Sequence, residues 1–196
     1  MAASPQVVAL VAAAPDVDAA RRAALLPEIQ AGAVPGRDIL LATCHRVEVF
    51  RSDDDDAAVD GGLRRLDGVA AADHVIRLAL GLESAVIGED QVLHQLRDAV
   101  THGRRVHALG GDLGLLMDRA LSAGRTGRSW RPPVVTSLAE RAIDLAAERI
   151  GALGGRRVLV VGAGVMGRSA ADAAKRGGAL VTIASRDPRH ATQVAD

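Results

Sequence analysis

Apolar residues near the start of the sequence recur with the spacing typical of strands. A Val-rich segment at residues 6–13 predicts the first strand, and the apolar run at residues 39–41 predicts a second. From residue 46 to 51, Val47, Val49 and Arg51 alternate with Arg46, Glu48 and Phe50, which predicts a third strand with two unlike faces. The second and third strands meet at residues 43–46, where the only cysteine, Cys44, is placed. The pattern therefore predicts a hairpin with a thiol at its turn.

In the rest of the first 130 residues, apolar residues recur at the three- and four-residue spacing that is typical of helices. Asp16 is placed to cap a helix that runs to about residue 30, and Asp112 to cap one that runs to about residue 124. Helices are also expected at residues 57–66, from residue 74 onward, and at residues 91–107. Glycines at 81 and 88 predict an irregular passage before the last of these.

Pro132 and Pro133 predict a domain boundary, because proline cannot continue a helix and restricts the residue before it. Residues 1–131 are expected to form one domain and residues 132–196 a second. Ser137 opens a capping box for a helix to about residue 153. The predicted fold class is α/β: an N-terminal α+β domain with a small sheet and helices, followed by an incomplete Rossmann-type domain.

A strand, a glycine-rich turn, a helix and a second strand follow one another from residue 157 to 184, which is the context of a dinucleotide fingerprint. Ser185 and Arg186 stand where an NAD enzyme has an acidic residue, and they suit a 2′-phosphate, so NADPH is the predicted cofactor. The alternative is a glycine-rich turn that binds no nucleotide. The predicted cofactor contacts are Gly162, Ala163, Gly164, Val165, Met166, Gly167, Ser185 and Arg186.

Composition narrows the possible classes of protein. One cysteine excludes an intrachain disulfide framework, and no apolar stretch is long enough for a membrane span. No basic segment precedes the first apolar run, so we expect a soluble, cytoplasmic protein rather than a secreted one. The net charge is zero, but residues 97–131 hold seven arginines and three aspartates. This surplus is either a phosphate-facing patch or ordinary helix surface. The acidic run at residues 53–56 is expected to be solvated, and no metal site is predicted.

Cys44 has two interpretations on local sequence alone. A hydroxyl, an imidazole and a guanidinium flank it, and a positive neighbour favours thiolate, the nucleophilic form of cysteine. The alternative is a small buried hydrophobic residue. Gln91 and Gln95 are four residues apart and share a helix face, which would suit either a polar substrate or plain solvent.

Three separated motifs together resemble glutamyl-tRNA reductase. Residues 41–50, Leu-Ala-Thr-Cys-His-Arg-Val-Glu-Val-Phe, are similar to the family's catalytic segment, Ser-Thr-Cys-Asn-Arg-Thr-Glu. Residues 74–97 are similar to its long signature, and the glycine fingerprint lies where the family has its NADPH domain. The sequence departs from the family at residues 12–15, where Ala-Ala-Ala-Pro replaces part of a Gly-x-Asn-His-x-Thr-Ala-Pro motif, at His45 in place of Asn, and at Asp90 in place of Pro.

The resemblance implies NADPH-dependent reduction of glutamyl-tRNA to glutamate-1-semialdehyde, the first step of tetrapyrrole biosynthesis by the five-carbon route. It also implies that residues 1–131 form the catalytic, glutamyl-tRNA-binding domain and residues 132–196 part of the NADP-binding domain. Cys44 would attack the ester to form a thioester and release tRNA, and hydride from NADPH would then reduce it. His74 would exchange a proton during ester cleavage, and Arg46 would pair with the carboxylate of the substrate. The implied substrate-binding residues are Thr43, Cys44, His45, Arg46, Ser84, Glu89, Asp90, Gln91 and Gln95.

The resemblance also implies partners. Glutamyl-tRNA would be the substrate, and an aminotransferase would act on the semialdehyde. The family is homodimeric through a helical domain that these 196 residues do not contain. Two alternatives stay open: a non-reducing relative that binds aminoacyl-tRNA or a protein partner, and an unrelated NADP-dependent dehydrogenase.

Overall fold

The computed structural model describes residues 7–34, 37–52, 62–84, 87–88, 90–106, 109, 111–130 and 137–186, without the side chains of Asp90 and Val106. Contacts between Cα atoms separate the chain into two units, Met1–Arg131 and Pro132–Asp196. The mixed α/β fold class is confirmed, with a small sheet and helices in the first unit and a Rossmann-like βαβ segment in the second.

The sheet of the first unit contains four antiparallel strands in the order β2-β3-β1-β4. The strands are β1 (Val7–Ala13), β2 (Ile39–Ala42), β3 (Arg46–Ser52) and β4 (Arg64–Asp67). The expected first strand and hairpin are confirmed. The expected helix at residues 57–66 is wrong over residues 64–66, which form β4; residues 57–61 lie outside the described residues. Strand β4 pairs with the edge of β1, with Leu66 opposite Ala9, and so occupies hydrogen-bonding groups that would otherwise be unpaired.

Both faces of this sheet are buried. On one face Val7, Ala9 and Val11 join Phe50 in a core with three helices, and on the other Val8, Leu10 and Ala12 pack against Leu25 and Ile29. The two faces of β3 differ in chemistry, as expected, with Val47 and Val49 in one core and Phe50 in the other, but neither face is exposed, since every residue from 46 to 51 is buried. Charged side chains of β3 consequently lie inside the protein, where each needs a polar partner.

Four helices complete the first unit: α1 (Ala19–Gly32), α2 (Gly68–Leu80), α3 (Asp90–Val106) and α4 (Gly111–Ser129). The cap of α1 is Asp18 rather than Asp16: the side chain of Asp18 accepts a hydrogen bond from the Arg21 amide at 2.8 Å. Helix α2 begins before His74, and α4 continues past residue 124. Among the described residues, no helix is long and apolar enough to span a membrane.

Two glycines allow α4 to lie close to α2. A Cβ atom added at Gly124 would lie 2.6 Å from the carbonyl oxygen of Ala79, and one added at Gly127 would overlap the side-chain end of Leu80. Because the helices approach each other at these points, α4 continues through both glycines although glycine disfavours helix.

The second unit contains α5 (Leu138–Ile150), β5 (Arg157–Val161), α6 (Val165–Arg176) and β6 (Leu180–Ala184). Strands β5 and β6 are parallel, and Val160 packs with Ala163 and Ala171 in a small core. The Ser137 capping box is present, with Glu140 as its second member. The expected strand–turn–helix–strand order is confirmed.

We predict that Gly124→Ala lowers the free energy of unfolding by about 1–3 kcal/mol, because the new methyl group meets a backbone carbonyl that cannot move aside. Gly127→Ala is the matched control on the same helix. Its methyl group meets only the end of the Leu80 side chain, and it gains about 1 kcal/mol of helix propensity, so its loss should be smaller. Urea denaturation measures both. Equal losses would contradict the proposed role of Gly124.

Candidate active site

The turn between β2 and β3 places Cys44 and His45 at its tip. Thr43 closes the turn: its amide donates to the carbonyl of Arg46 at 2.8 Å, and its hydroxyl oxygen accepts from the amides of His45 and Arg46 at 3.1 and 3.2 Å. Cys44 is exposed, and its Sγ lies 3.6 Å from Nδ1 of His45. The turn therefore presents an accessible thiol beside an imidazole, which can take up its proton.

A buried arginine from α1 holds the backbone of this turn. The guanidinium of Arg22 donates through Nη2 to the carbonyl of Cys44 at 2.8 Å and through Nη1 to the carbonyl of Val17. The next carbonyl, that of His45, accepts from the Ala14 amide at 2.9 Å. Sequence reasoning missed Arg22, because nothing in the local pattern of α1 distinguishes a buried arginine from its exposed neighbours.

A buried carboxylate joins two of the predicted site residues. Oε1 of Glu48 accepts from Nη1 of Arg46 at 2.9 Å, and Oε2 of Glu48 lies 2.8 Å from Nε2 of His74. The side chain of Glu48 has no exposed surface, and those of Arg46 and His74 are almost fully buried. Each oxygen of the acid thus has its own partner, as a buried charge requires.

Glu48 was not among the predicted site residues. The signal that would have identified it is an acid in the middle of a strand buried on both faces. Alternation along β3 puts Glu48 on the same face as Arg46, but it does not indicate that this face is buried.

The turn after α2 completes the network. The carbonyl of Glu83 accepts from Nη2 of Arg46, and the carboxylate of Glu83 accepts from Nε of Arg77 at 2.6 Å. Partial burial on its own would raise the pKa of the Glu83 carboxyl. The hydrogen bond from Arg77 and the positive charges of His74, Arg77 and Arg46 outweigh burial and hold that pKa below its usual value. Glu83 therefore stays ionised beside the site.

A cavity of about 30 Å³ lies beside the Cys44 turn. Seven of the predicted residues line it, together with Val92; the seven are Thr43, Cys44, His45, Arg46, Ser84, Gln91 and Gln95. His74 does not line the cavity and connects to it through Glu48. Asp90 begins α3, but its side chain, like the whole of Glu89, lies outside the described residues. Within the described part of the chain, no group of three His, Cys, Asp or Glu is placed to hold a metal ion.

The second candidate site lies at the glycine fingerprint. Gly162 has φ of 109°, a backbone conformation that favours glycine, and its amide donates to the carbonyl of Ala184 at 2.7 Å. A Cβ added at Gly167 would overlap the carbonyl oxygen of Gly162, so Gly167 allows α6 to start directly beside β5. These are the roles expected of the first and third glycines of the fingerprint.

A cavity of about 1010 Å³ opens at this turn. Six of the predicted cofactor residues line it: Gly162, Ala163, Gly164, Val165, Ser185 and Arg186. Met166 and Gly167 do not line it, whereas Arg168, which was not predicted, does. Two guanidinium groups and the start of a helix therefore face one space.

The shape of the turn fits a nucleotide diphosphate. Gly164 caps α6 with an ordinary φ of −75°, and a Cβ added there would meet nothing within 4 Å. Packing within the protein therefore does not require glycine at this position, whereas a close-lying ligand would. The N-cap of α6 is Gly164, which has no side chain to cap the helix, and an anion can bind at a helix start of this kind.

Comparison with protein families gives two matches. The family described as glutamyl-tRNAGlu reductase, N-terminal domain, matches residues 12–130. The family described as shikimate/quinate 5-dehydrogenase matches residues 144–196.

Similar proteins include glutamyl-tRNA reductase of Caldivirga maquilingensis, 40% identical over 139 residues, covering 65% of this chain and 34% of the relative. That of Methanopyrus kandleri is 35% identical over 166 residues, covering 80% and 41%. The solved structure of glutamyl-tRNA reductase from Methanopyrus kandleri superimposes with a TM-score of 0.63 at 27% identity, covering 97% of this chain and 52% of that one. The chain thus spans about two fifths or less of the length of these curated relatives.

We predict that Glu48→Gln lowers the free energy of unfolding by about 3 kcal/mol, because it leaves the buried guanidinium of Arg46 without a counter-charge. Glu28→Gln makes the same chemical change at an exposed position of α1 and should alter stability by less than about 0.5 kcal/mol. Thermal or urea unfolding measures both. A loss no larger than that of the control would show that the buried carboxylate is not required.

Proposed function

We propose, because the chain belongs to the glutamyl-tRNA reductase family, that it acts in the NADPH-dependent reduction of glutamyl-tRNA to glutamate-1-semialdehyde, with Cys44 as the acyl acceptor. The observation that carries this proposal is the exposed thiol on a turn whose backbone is held at three successive carbonyls. A nucleophile fixed in this way loses little freedom when it reacts.

The acyl transfer is a thiol–ester exchange. Sγ of Cys44 forms a bond to the ester carbonyl carbon of glutamyl-tRNA, and the bond from that carbon to the ribose oxygen breaks. His45 takes the thiol proton through Nδ1, 3.6 Å from Sγ, and returns it to the departing ribose oxygen. The products are a Cys44 thioester and deacylated tRNA.

The lining residues supply contacts for the glutamyl group. The hydroxyls of Thr43 and Ser84 and the amides of Gln91 and Gln95 surround the thiol with uncharged donors and acceptors. A cavity of about 30 Å³ holds little more than one water molecule, so the glutamyl group lies across its mouth, where Cys44 and Gln95 are exposed.

Arg46 and His74 act through the backbone and through Glu48. The guanidinium of Arg46 is occupied by the Glu48 carboxylate and the Glu83 carbonyl. Arg46 therefore positions the turn, and we do not assign it a direct contact with the substrate carboxylate. His74 in turn orients Glu48 from α2.

The second unit would hold NADPH. The amides at the start of α6 and the guanidinium of Arg168 would bind the diphosphate, and Ser185 and Arg186 would bind the 2′-phosphate. When bound, the cofactor supplies the hydride that turns a thioester into an aldehyde and frees the thiol.

We predict that wild-type protein mixed with glutamate-labelled glutamyl-tRNA retains label that neutral hydroxylamine removes, and that Cys44→Ser retains none of this kind, because only the thiol forms a thioester. His45→Asn is the control on the same turn. It keeps the thiol and should still be labelled, more slowly at neutral pH by at least about tenfold, since the proton acceptor is lost. After acid quenching and ribonuclease digestion of the tRNA, scintillation counting of the polypeptide measures all three.

Equal hydroxylamine-sensitive labelling of wild type and Cys44→Ser would contradict the proposal. Tight tRNA binding without any labelling would instead favour a chain that binds aminoacyl-tRNA without reacting with it.

We predict that Arg186→Ala weakens NADPH binding by at least about tenfold, through loss of a charge-assisted hydrogen bond to the 2′-phosphate. NADH binding, which needs no such contact, should change little. Arg149→Ala, at an exposed position of α5, is the matched control and should leave both affinities unchanged. Fluorescence titration measures them. Equal wild-type affinity for NADPH and NADH would contradict the assignment of Ser185 and Arg186.

A further inference from the structure

A second cavity of the first unit lies between α3 and α4 and is lined largely by basic groups. Its volume is about 240 Å³, and its lining residues are Leu93, His94, Arg97, Leu121, Arg125 and Arg128. No carboxylate is among these lining residues. Three guanidinium groups around one space repel each other, so the arrangement favours an anion between them.

Backbone contacts build one wall of this cavity. Nη1 of Arg128 donates to the carbonyls of Ala79 and Gly124, each at 2.9 Å. The close approach of α2 and α4 at Gly124 places both carbonyls within reach of the guanidinium. Arg128 is thereby fixed in orientation, as a binding group should be if little freedom is to be lost when a ligand arrives.

Arg97 and Arg125, the other two arginines of the cavity, differ from Arg104 in having no acidic partner among the described residues. Arg104 of α3 pairs with Asp118 of α4 at 2.8 Å, which joins the helices by opposite charges. Arg97 and Arg125 are exposed, and in the described ranges neither forms an ion pair. Their planar groups can each donate two hydrogen bonds to one phosphate.

The position of the cavity relative to Cys44 indicates which phosphate group would bind in it. Helix α3 lines both cavities: Gln91 and Gln95 face the Cys44 cavity, and Leu93, His94 and Arg97 face the basic one. A helix with its side chains is about 10–12 Å across, so the two cavities lie within a few nucleotides of each other.

We infer that the cavity between α3 and α4 binds backbone phosphate of the tRNA whose acyl group lies at Cys44. This inference rests on the proposed function and adds the surface that recognises the nucleic-acid part of the substrate. It assigns three of the seven arginines of residues 97–131, those that line the cavity, to phosphate binding.

The test compares two double variants of equal charge change. In Arg97→Gln/Arg125→Gln both changes line the cavity, and in Arg105→Gln/Arg119→Gln both lie on exposed positions of the same helices outside it. Binding of deacylated tRNA is measured by filter retention over a series of salt concentrations, and urea unfolding confirms that each variant is folded.

We expect the cavity variant to bind at least about tenfold more weakly, and the slope of log K against log salt to become shallower by about 2. The control variant should keep the wild-type slope and lose less than about threefold in affinity.

Wild-type affinity and slope in the cavity variant would overturn the inference, as would equal weakening in both variants. Inorganic phosphate and polyglutamate are each added as competitors of tRNA at the same concentration of negative charge. Displacement of tRNA by either competitor would overturn the assignment to a tRNA backbone. Labelling of wild-type Cys44 by a glutamyl thioester that lacks tRNA is measured in parallel. It reports on the proposed chemistry alone, so failure of the phosphate site and failure of Cys44 as acyl acceptor give different results.

Discussion

The arrangement of the first unit depends on one carboxylate that has no contact with solvent. Glu48 stands on a strand whose two faces are both covered, and its two oxygens bind Arg46 and His74. An unpaired charge at this depth would cost several kcal/mol, so the three side chains are stable only together. Through Arg46 the carboxylate fixes the end of the cysteine turn and the carbonyl of Glu83, and through His74 it ties β3 to α2. The thiol therefore lies on a turn that Glu48 supports through Arg46, while Arg22 holds the carbonyl of Cys44 itself.

Arginine serves three different physical purposes in this chain. Arg22 is buried and donates to backbone carbonyls, Arg46 is buried and pairs with an acid, and Arg97 is exposed beside a cavity. All but one of the 24 basic residues are arginine, so composition could not separate these purposes. The three purposes are distinguished only by the groups that each guanidinium contacts in the folded chain.

Elements defined by local chemistry could be predicted from the sequence. The glycine fingerprint, the Ser137 capping box and the cysteine hairpin each depend on residues close together in the chain, and each is present. What depends on distant packing could not be predicted. Residues 64–66 form a strand because the edge of β1 is open to them, and Glu48 is buried because helices cover both faces of the sheet. Likewise, Arg22 reaches Cys44 only once α1 packs against β3. Family resemblance predicted the residues around Cys44, whereas Arg22 and Glu48, which hold the turn and Arg46, were not predicted.

The measurement that tests the central claim most directly is the time course of tRNA release. Glutamyl-tRNA is mixed with a known amount of protein without NADPH, and deacylated tRNA is counted by rapid quench. An acyl-accepting thiol predicts a burst of one tRNA per reactive chain followed by little further release, because the thioester blocks a second turnover. A linear release without a burst, or a burst that persists after Cys44 is alkylated, would contradict the account.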